Sequence, residues 1–352
     1  MSYKIPVSKP SLTGRELEYV TEGLRDGWIS SLGPHVGRFE QAFAEYNGFA
    51  HGLSCSSGTT ALTLAMSALR IGEGDEVVVP EFTMVASAWA VTYTGGTPVF
   101  VDCGDDLNID VSAIEAAITP RTRAIMPVHI YGRRCDMESI LELAEAYNLR
   151  VVEDSAEAHG VRPTGDIACF SLFANKIITA GEGGICLTND PHLATQLKHL
   201  CRMAFSADHD YVHRKLAYNF RMTDMQAAVA LAQTEQLDDL LAARRRIERR
   251  YDEGLKDIPG LTLMPPRDVV WFYDLRAQRR DELRAALAAD GVDTRLFFQP
   301  MSRQPMYFDA GWTTLNAARF AADGLYLPTY VGLSEADQDY VIDRIRTFYG
   351  ED

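Results

Sequence analysis

The sequence predicts an α/β fold: a mainly parallel sheet with helices on both faces, followed by a smaller α+β unit. Three observations carry that prediction. From about residue 50 to 190, short β-rich runs alternate with helix-length segments; the runs are apolar and the segments between them amphipathic; and near residue 222 the alternation gives way to long helical stretches. Repetition of apolar strand, turn and amphipathic helix is the pattern of parallel βαβ units, whose sheet is covered from both sides.

The elements follow in order. "HGLSC" (51–55) precedes the helical "GTTALTLAMSAL", "EVVVP" (76–80) precedes "FTMVASAWAVTYTGG", and "TPVFVD" (97–102) precedes "VSAIEAAI". "RAIMPVHI" (123–130) leads through "DMESILELAEAYN" to the strand "RVVED" (150–154), and "ACFSLF" leads through a glycine-rich turn to "ICLTND". The helical run "MTDMQAAVALAQTEQLDDLLAARRRIERRYDEGL" connects a large unit, residues 1–235, to a small one, residues 236–352. Within it, "RRRIERR" (244–250) is flanked by acidic residues and not interleaved with aromatics, so it reads as a solvated helix face. "LTLMPP", "VVWFYDL", a helix near 280–290, "DTRLFF" and a final helix near 334–347 suit a small α+β unit.

With 352 residues, 47% of them hydrophobic, the chain can bury a large core. Its 34 basic and 49 acidic residues give a net charge of -15, which repels a phosphate backbone and argues against nucleic-acid or membrane-surface partners. The six cysteines form no CxxC pair and several lie in apolar runs, as expected of buried thiols in a reducing compartment. The N-terminus carries no apolar signal-peptide region and no run approaches a membrane span, so the cytoplasm is the expected location.

In open α/β sheets, ligand chemistry gathers at the carboxyl ends of the strands. "SCSSGTTALTLAMSAL" puts Ser56, Ser57, Gly58, Thr59 and Thr60 between a strand and the first turn of a helix. Free N–H groups and the positive end of the helix dipole suit an anion there, although the same residues also make an ordinary helix N-cap. The absence of a Walker lysine and of GxGxxG weakens ATP and dinucleotide readings. In "VVEDSAEAHG", Asp154 ends a strand, with Glu157 and His159 close behind. A carboxylate buried there needs a cationic partner, which a protonated pyridine nitrogen would supply; a capping aspartate and a satisfied histidine are the plainer alternatives. Lys176 stands between "ACFSLF" and "TAGEGG", where a desolvated amine can attack an aldehyde, although most lysines are solvated surface groups. "HDYVH" spaces His209 and His213 four apart but lacks the glutamate of HExxH, so no metal is expected.

Phosphate turn, strand-end aspartate and lysine occur in that chain order, within "FTMVASAWAVTYTGGTPVFVD", "AIMPVHIYG", "EDSAEAHG", "GDIACFSLFANKIITAGEGG" and "NFRMTDMQAAVALAQ". From about residue 5 to 350 the chain resembles the DegT/DnrJ/EryC1/StrS sugar aminotransferases, and within them the GDP-perosamine synthase group. The resemblance implies the aspartate-aminotransferase type fold (fold type I) with a seven-stranded sheet, and pyridoxal 5'-phosphate (PLP) as cofactor. It further implies that Lys176 forms the Schiff base, Asp154 pairs with the pyridine nitrogen and Glu157 lies near the ring hydroxyl. Ser57, Gly58, Thr59 and Ser171 would hold the phosphate, Met84 and Ala86 would lie against the cofactor, and Asn219 would reach the phosphate of a neighbouring subunit in a homodimer. His129, His159 and Arg295 are candidates for the substrate side.

The implied reaction transfers an amino group, with L-glutamate as donor, to the ketone of a nucleotide-linked 4-keto-6-deoxyhexose. A keto-cyclitol acceptor is the alternative, and a PLP-fold binding protein without turnover a more distant one. Relatives with histidine in place of the lysine are dehydratases, so Lys176 favours amino transfer. The chain departs from its relatives where "GVRPT" replaces a longer hairpin, where "VVWFYDLRAQRRDEL" is short, and where Ser302 replaces a frequent histidine. These regions shape the expected substrate side.

Overall fold

Strand-forming runs bounded by turns become seven strands: β1 (His51–Cys55), β2 (Glu76–Pro80), β3 (Thr97–Val101), β4 (Thr122–Ile125), β5 (Arg150–Asp154), β6 (Ile167–Ser171) and β7 (Gly184–Thr188). The computed structural model describes residues 3–205, 211–213 and 215–350; His209 of the "HDYVH" run lies outside them. The strands form one sheet in the order β1-β7-β6-β5-β4-β2-β3. Helical crossovers make the β2–β3, β2–β4 and β4–β5 pairs parallel, and β5–β6 is parallel too. The connection from β6 to β7 is a loop without a helix, and β7 returns antiparallel to β6 and to β1.

Both faces of the sheet are covered at β2, β6 and β7, while the edge strand β3 is partly exposed. All five residues of β2, β6 and β7 are buried. On β6, Ala168 and Phe170 join one apolar cluster, with Phe39 and Phe43 from the helix Pro34–Asn47; Ile167 and Cys169 join another, with Ala61 and Leu64 from the helix Gly58–Ala68. Alternate side chains therefore feed opposite clusters, which is why the strands read as continuous apolar runs. All six cysteines are buried, and none is in a disulfide.

A second sheet, antiparallel, has the order β10-β11-β9-β8, from β8 (Leu261–Leu263), β9 (Tyr273–Ala277), β10 (Arg295–Leu296) and β11 (Gly324–Leu327). Its core joins Leu275 and Leu325 to Ile247 and Tyr251 of the helix Leu237–Leu255, Leu283 of Arg280–Ala289 and Ile345 of Glu335–Tyr349. The opening residues dock on this side of the molecule: Ile5 N–H donates to Gly291 O, and Thr329 N–H to Val7 O.

The long connecting run is two helices, Asp224–Glu235 and Leu237–Leu255, with Gln236 between them in a non-helical conformation (φ -113°, ψ 14°). The solvated face expected of "RRRIERR" is corrected at Arg244. It is buried, and its Nη1 donates to the carbonyls of Trp271 (2.7 Å) and Thr329 (3.1 Å), groups that would otherwise be buried without donors. Charge pattern alone did not reveal that backbone demand.

Two helix starts are tied together by Asp224. Its Oδ1 accepts the N–H groups of His35 and Val36 at 2.8 and 3.3 Å, and its Oδ2 meets His35 Nδ1 at 2.8 Å. Asp224→Ala leaves these buried donors without an acceptor and should lower the unfolding free energy by about 3 kcal/mol, read from denaturant midpoints at constant m-value.

Candidate active site

Three strand ends meet in one cleft. β1 ends at Cys55 and turns through Ser57 into the helix Gly58–Ala68. Ser57 is an N-cap, its Oγ accepting the Thr60 N–H at 3.1 Å, so the capping alternative holds for this side chain. The cap leaves the first-turn N–H groups of Gly58 and Thr59 at the positive end of the helix, and both residues line the cleft. Gly58 is required by close approach: a Cβ there would stand 2.7 Å from Cβ of Ser171, the last residue of β6.

Asp154, the last residue of β5, is buried on the same floor. Burial raises its pKa, offset by hydrogen bonds from Ser87 Oγ (2.7 Å) to Oδ2 and from the Ala156 N–H (3.1 Å) to Oδ1. Ser87 was not among the sequence candidates. A hydroxyl in the apolar, small-residue run "VASAWA" was the available signal, because a buried hydroxyl needs a partner.

Lys176 follows β6 in a turn closed by Lys176 N–H to Phe173 O (2.9 Å). Gly181, at φ 80°, then bends the chain away toward β7. Lys176 Nζ lies 3.8 Å from Glu157 Oε1 and 3.8 Å from the centroid of the Trp271 ring. Burial lowers the pKa of the lysine and raises that of the glutamate, each being disfavoured as an ion away from water. Glu157 also accepts the Tyr131 N–H at 3.0 Å. Trp271 is a second residue that the sequence does not single out: its run "VVWFYDL" suits the small α+β unit and, with the residues after it, the substrate side, but nothing in the sequence sets the tryptophan against Lys176.

The cleft, of about 320 Å³, is lined by Ser57, Gly58, Thr59, Met84, Ala86, Asp154, Glu157, Ser171 and Lys176, and by Trp271, Phe298 and Tyr326 from the C-terminal part of the chain. A groove of about 600 Å³ runs beside β1, between the helices Pro34–Asn47 and Pro191–Cys201, but no candidate residue lines it.

Four candidates lie elsewhere. His129 is corrected as a substrate-side residue. It is fully buried, its Nδ1 accepts the Cys135 N–H at 3.1 Å, and its Nε2 meets Glu153 at 2.7 Å, so neither nitrogen is free for a substrate. Asn219 is exposed, and its Oδ1 accepts from Arg221 Nε at 2.7 Å. Arg295 pairs with Asp293 at 2.7 Å and stands across the β10–β11 pair from Tyr326 of the cleft wall. His159 is buried, in ring contact with Phe170 and Phe43. Ser302, expected to shape the substrate side, instead turns inward, its N–H donating to the buried carboxylate of Glu81 at 2.6 Å.

A model of the DegT/DnrJ/EryC1/StrS aminotransferase family matches residues 10–346. This chain belongs to that family. It is 44% identical over 358 residues to the GDP-perosamine synthase of Caulobacter vibrioides, with 96% of each chain covered. The Streptomyces venezuelae DesV structure in complex with a ketimine intermediate superposes with a TM-score of 0.89 at 37% identity, covering 96% of this chain and 95% of DesV. The PLP form of Spr1654 from Streptococcus pneumoniae gives 0.91 at 28% identity, with 99% of each chain covered. The protein is a sugar aminotransferase of the perosamine-synthase type, on the aspartate-aminotransferase type fold.

The environment of His159 has a measurable consequence. Burial drops its imidazole from 6.5 to about 3. Between those values the unfolded chain binds a proton that the folded one refuses, so stability falls as pH falls, by about 1.4 kcal/mol per pH unit. His159→Leu removes this contribution. Denaturant midpoints followed through the same window should show a flatter acid slope for the variant, and an unchanged slope would assign the loss to other groups.

Proposed function

We propose that this DegT-family enzyme uses PLP to transfer an amino group from L-glutamate to the ketone of a nucleotide-linked 4-keto-6-deoxyhexose, giving a 4-amino sugar. The observation that carries the reading is the convergence of a helix N-terminus, a buried carboxylate and a buried lysine on one cleft. Likeness to a GDP-perosamine synthase supports GDP as the carrier.

The residues present fit the cofactor. The Gly58–Thr59 turn against Ser171 is an anion cradle that a Cβ at Gly58 would fill. Asp154 would pair with the ring nitrogen, Glu157 with the ring hydroxyl and Met84 with a ring face, while Lys176 would carry the cofactor covalently. When bound, the cofactor supplies an electron sink for the substrate carbon. Asp154 stands on the cleft floor, where the hydrogen bonds from Ser87 and the Ala156 N–H favour its carboxylate against the burial that opposes it. Nζ of Lys176 would take the proton from the donor carbon and hand it on to the cofactor side rather than return it, the shift that amino transfer requires, and burial favours the neutral amine that this needs. Tyr326 and Phe298 would border the acceptor, with Arg295 beside Tyr326 offering a guanidinium to its diphosphate.

The active unit in this reading is a homodimer. Asn219, exposed and absent from its own cleft wall, would serve the neighbouring subunit. Exposed Leu24, Trp28, Ile29 and Leu32 offer apolar surface for the contact. No described helix is long and apolar enough to cross a membrane, and six buried free thiols support work in the reducing cytoplasm.

The test is a pair of half-reactions. Protein loaded with PLP and converted by L-glutamate is freed of excess donor, and its lysine–cofactor absorption should return on adding a GDP-4-keto-6-deoxyhexose. Return only with a keto-cyclitol would replace the proposed acceptor, and no response to glutamate would remove the donor. Lys176→Ala should lose the covalent attachment and at least about a thousandfold in turnover, consistent with loss of an acid–base group; near-normal turnover would end the assignment.

A further inference from the structure

We propose that Trp271 is a positioning residue for Lys176: its indole face seats the side-chain ammonium, and its tie to the lysine turn fixes where the amine waits when no covalent bond restrains it. Two contacts carry this. Nζ stands 3.8 Å from the ring centroid, and the indole Nε1–H donates to the carbonyl of Asn175, the residue before Lys176, at 2.8 Å. The ring is therefore bonded to the same turn whose side chain it supports.

The indole is itself held. It is 3% exposed, in ring contact with Tyr131 and Phe272, and its backbone carbonyl accepts from buried Arg244 at 2.7 Å. Glu157 Oε1, at 3.8 Å, is too far for a hydrogen bond to Nζ, so that carboxylate acts on the ammonium through space. A cation over a tryptophan face is stabilised, and more so when desolvated. The attraction requires the charge: the ammonium rests on the ring, whereas the neutral amine is released from it into the cleft.

Other groups act on the same nitrogen. Asp154 and Glu157, from the end of β5 and the turn after it, both favour the ammonium, and the buried His159 imidazole is held toward its neutral form by burial and by the Lys176 charge. The Tyr131 and Tyr326 rings flank Trp271, and Glu182 borders the cleft. A substitution at Trp271 leaves all of these in place.

The inference rests on Lys176 as the residue that carries PLP, and its test separates the two ideas. Cofactor-free protein is mixed with PLP, and the rate of covalent attachment is followed against pH, since only the neutral amine attacks. Trp271→Leu, apolar but without a ring, should move the midpoint of that profile down by about one pH unit and lower the plateau rate. Trp271→Phe, which keeps a ring face but loses the N–H, should hold the midpoint near the wild-type value while lowering the plateau. Equal midpoints in wild type and Trp271→Leu would reduce Trp271 to packing and overturn the proposal, leaving the lysine assignment intact. Failure of the wild type to attach PLP at all would overturn both. Should Trp271→Leu not fold, the pH-dependent component of Trp271 emission, taken as wild type minus Trp271→Phe without cofactor, should vanish in Lys176→Met; its persistence would also overturn the proposal.

Discussion

Two carboxylates and one amine are withdrawn from water within a single cleft, and the rest of the site depends on how Asp154, Glu157 and Lys176 offset one another. Each would be costly alone. The carboxyls are pushed toward their protonated forms and the lysine toward its neutral form, while their mutual attraction and the hydrogen bonds to Asp154 oppose that drift. Burial thus works on Lys176 in the direction of its neutral form. A buried lysine shifted in that direction can serve as nucleophile and as base, which a solvated lysine does poorly at neutral pH.

The fold creates that balance by geometry. β1, β5 and β6 bring Ser57, Asp154 and Ser171 to one edge of the sheet because crossover connections return the chain in the same direction. The antiparallel return through β7 is equally needed. It replaces a helix with the loop that carries Lys176, so the amine enters the cleft from the same edge as the carboxylates it meets.

Much of this was legible in the sequence, and unevenly. "HGLSC", "EVVVP" and "RVVED" coincide with β1, β2 and β5, and in "EVVVP" burial on both faces leaves an uninterrupted Val77–Val79 run. "RAIMPVHI" overran, since β4 stops at Ile125 and the following residues bond instead as a bridge near Asp154. Residues whose chemistry depends on chain order, Asp154 and Lys176 above all, stood out from their neighbours. Ser87, Trp271 and Arg244 did not, because each is defined by a partner more than 25 residues away: Asp154, Lys176 and the Trp271 carbonyl. His129 was misread although its partners are nearer in the chain, since Glu153 and the Cys135 N–H, which satisfy it, are brought onto its two ring nitrogens only by folding.

The placement of Trp271 joins the two halves of the molecule chemically. The large sheet supplies Asp154, Glu157 and Lys176, whereas Trp271, Phe298 and Tyr326 arrive from the C-terminal part of the chain. Trp271 is anchored on both sides, by Arg244 of the connecting helix at its carbonyl and by Asn175 of the lysine turn at its indole. Arg244 and Asn175 thus tie one aromatic residue to the connecting helix and to the lysine turn, so that a change at either end reaches the ring whose centroid lies 3.8 Å from Nζ.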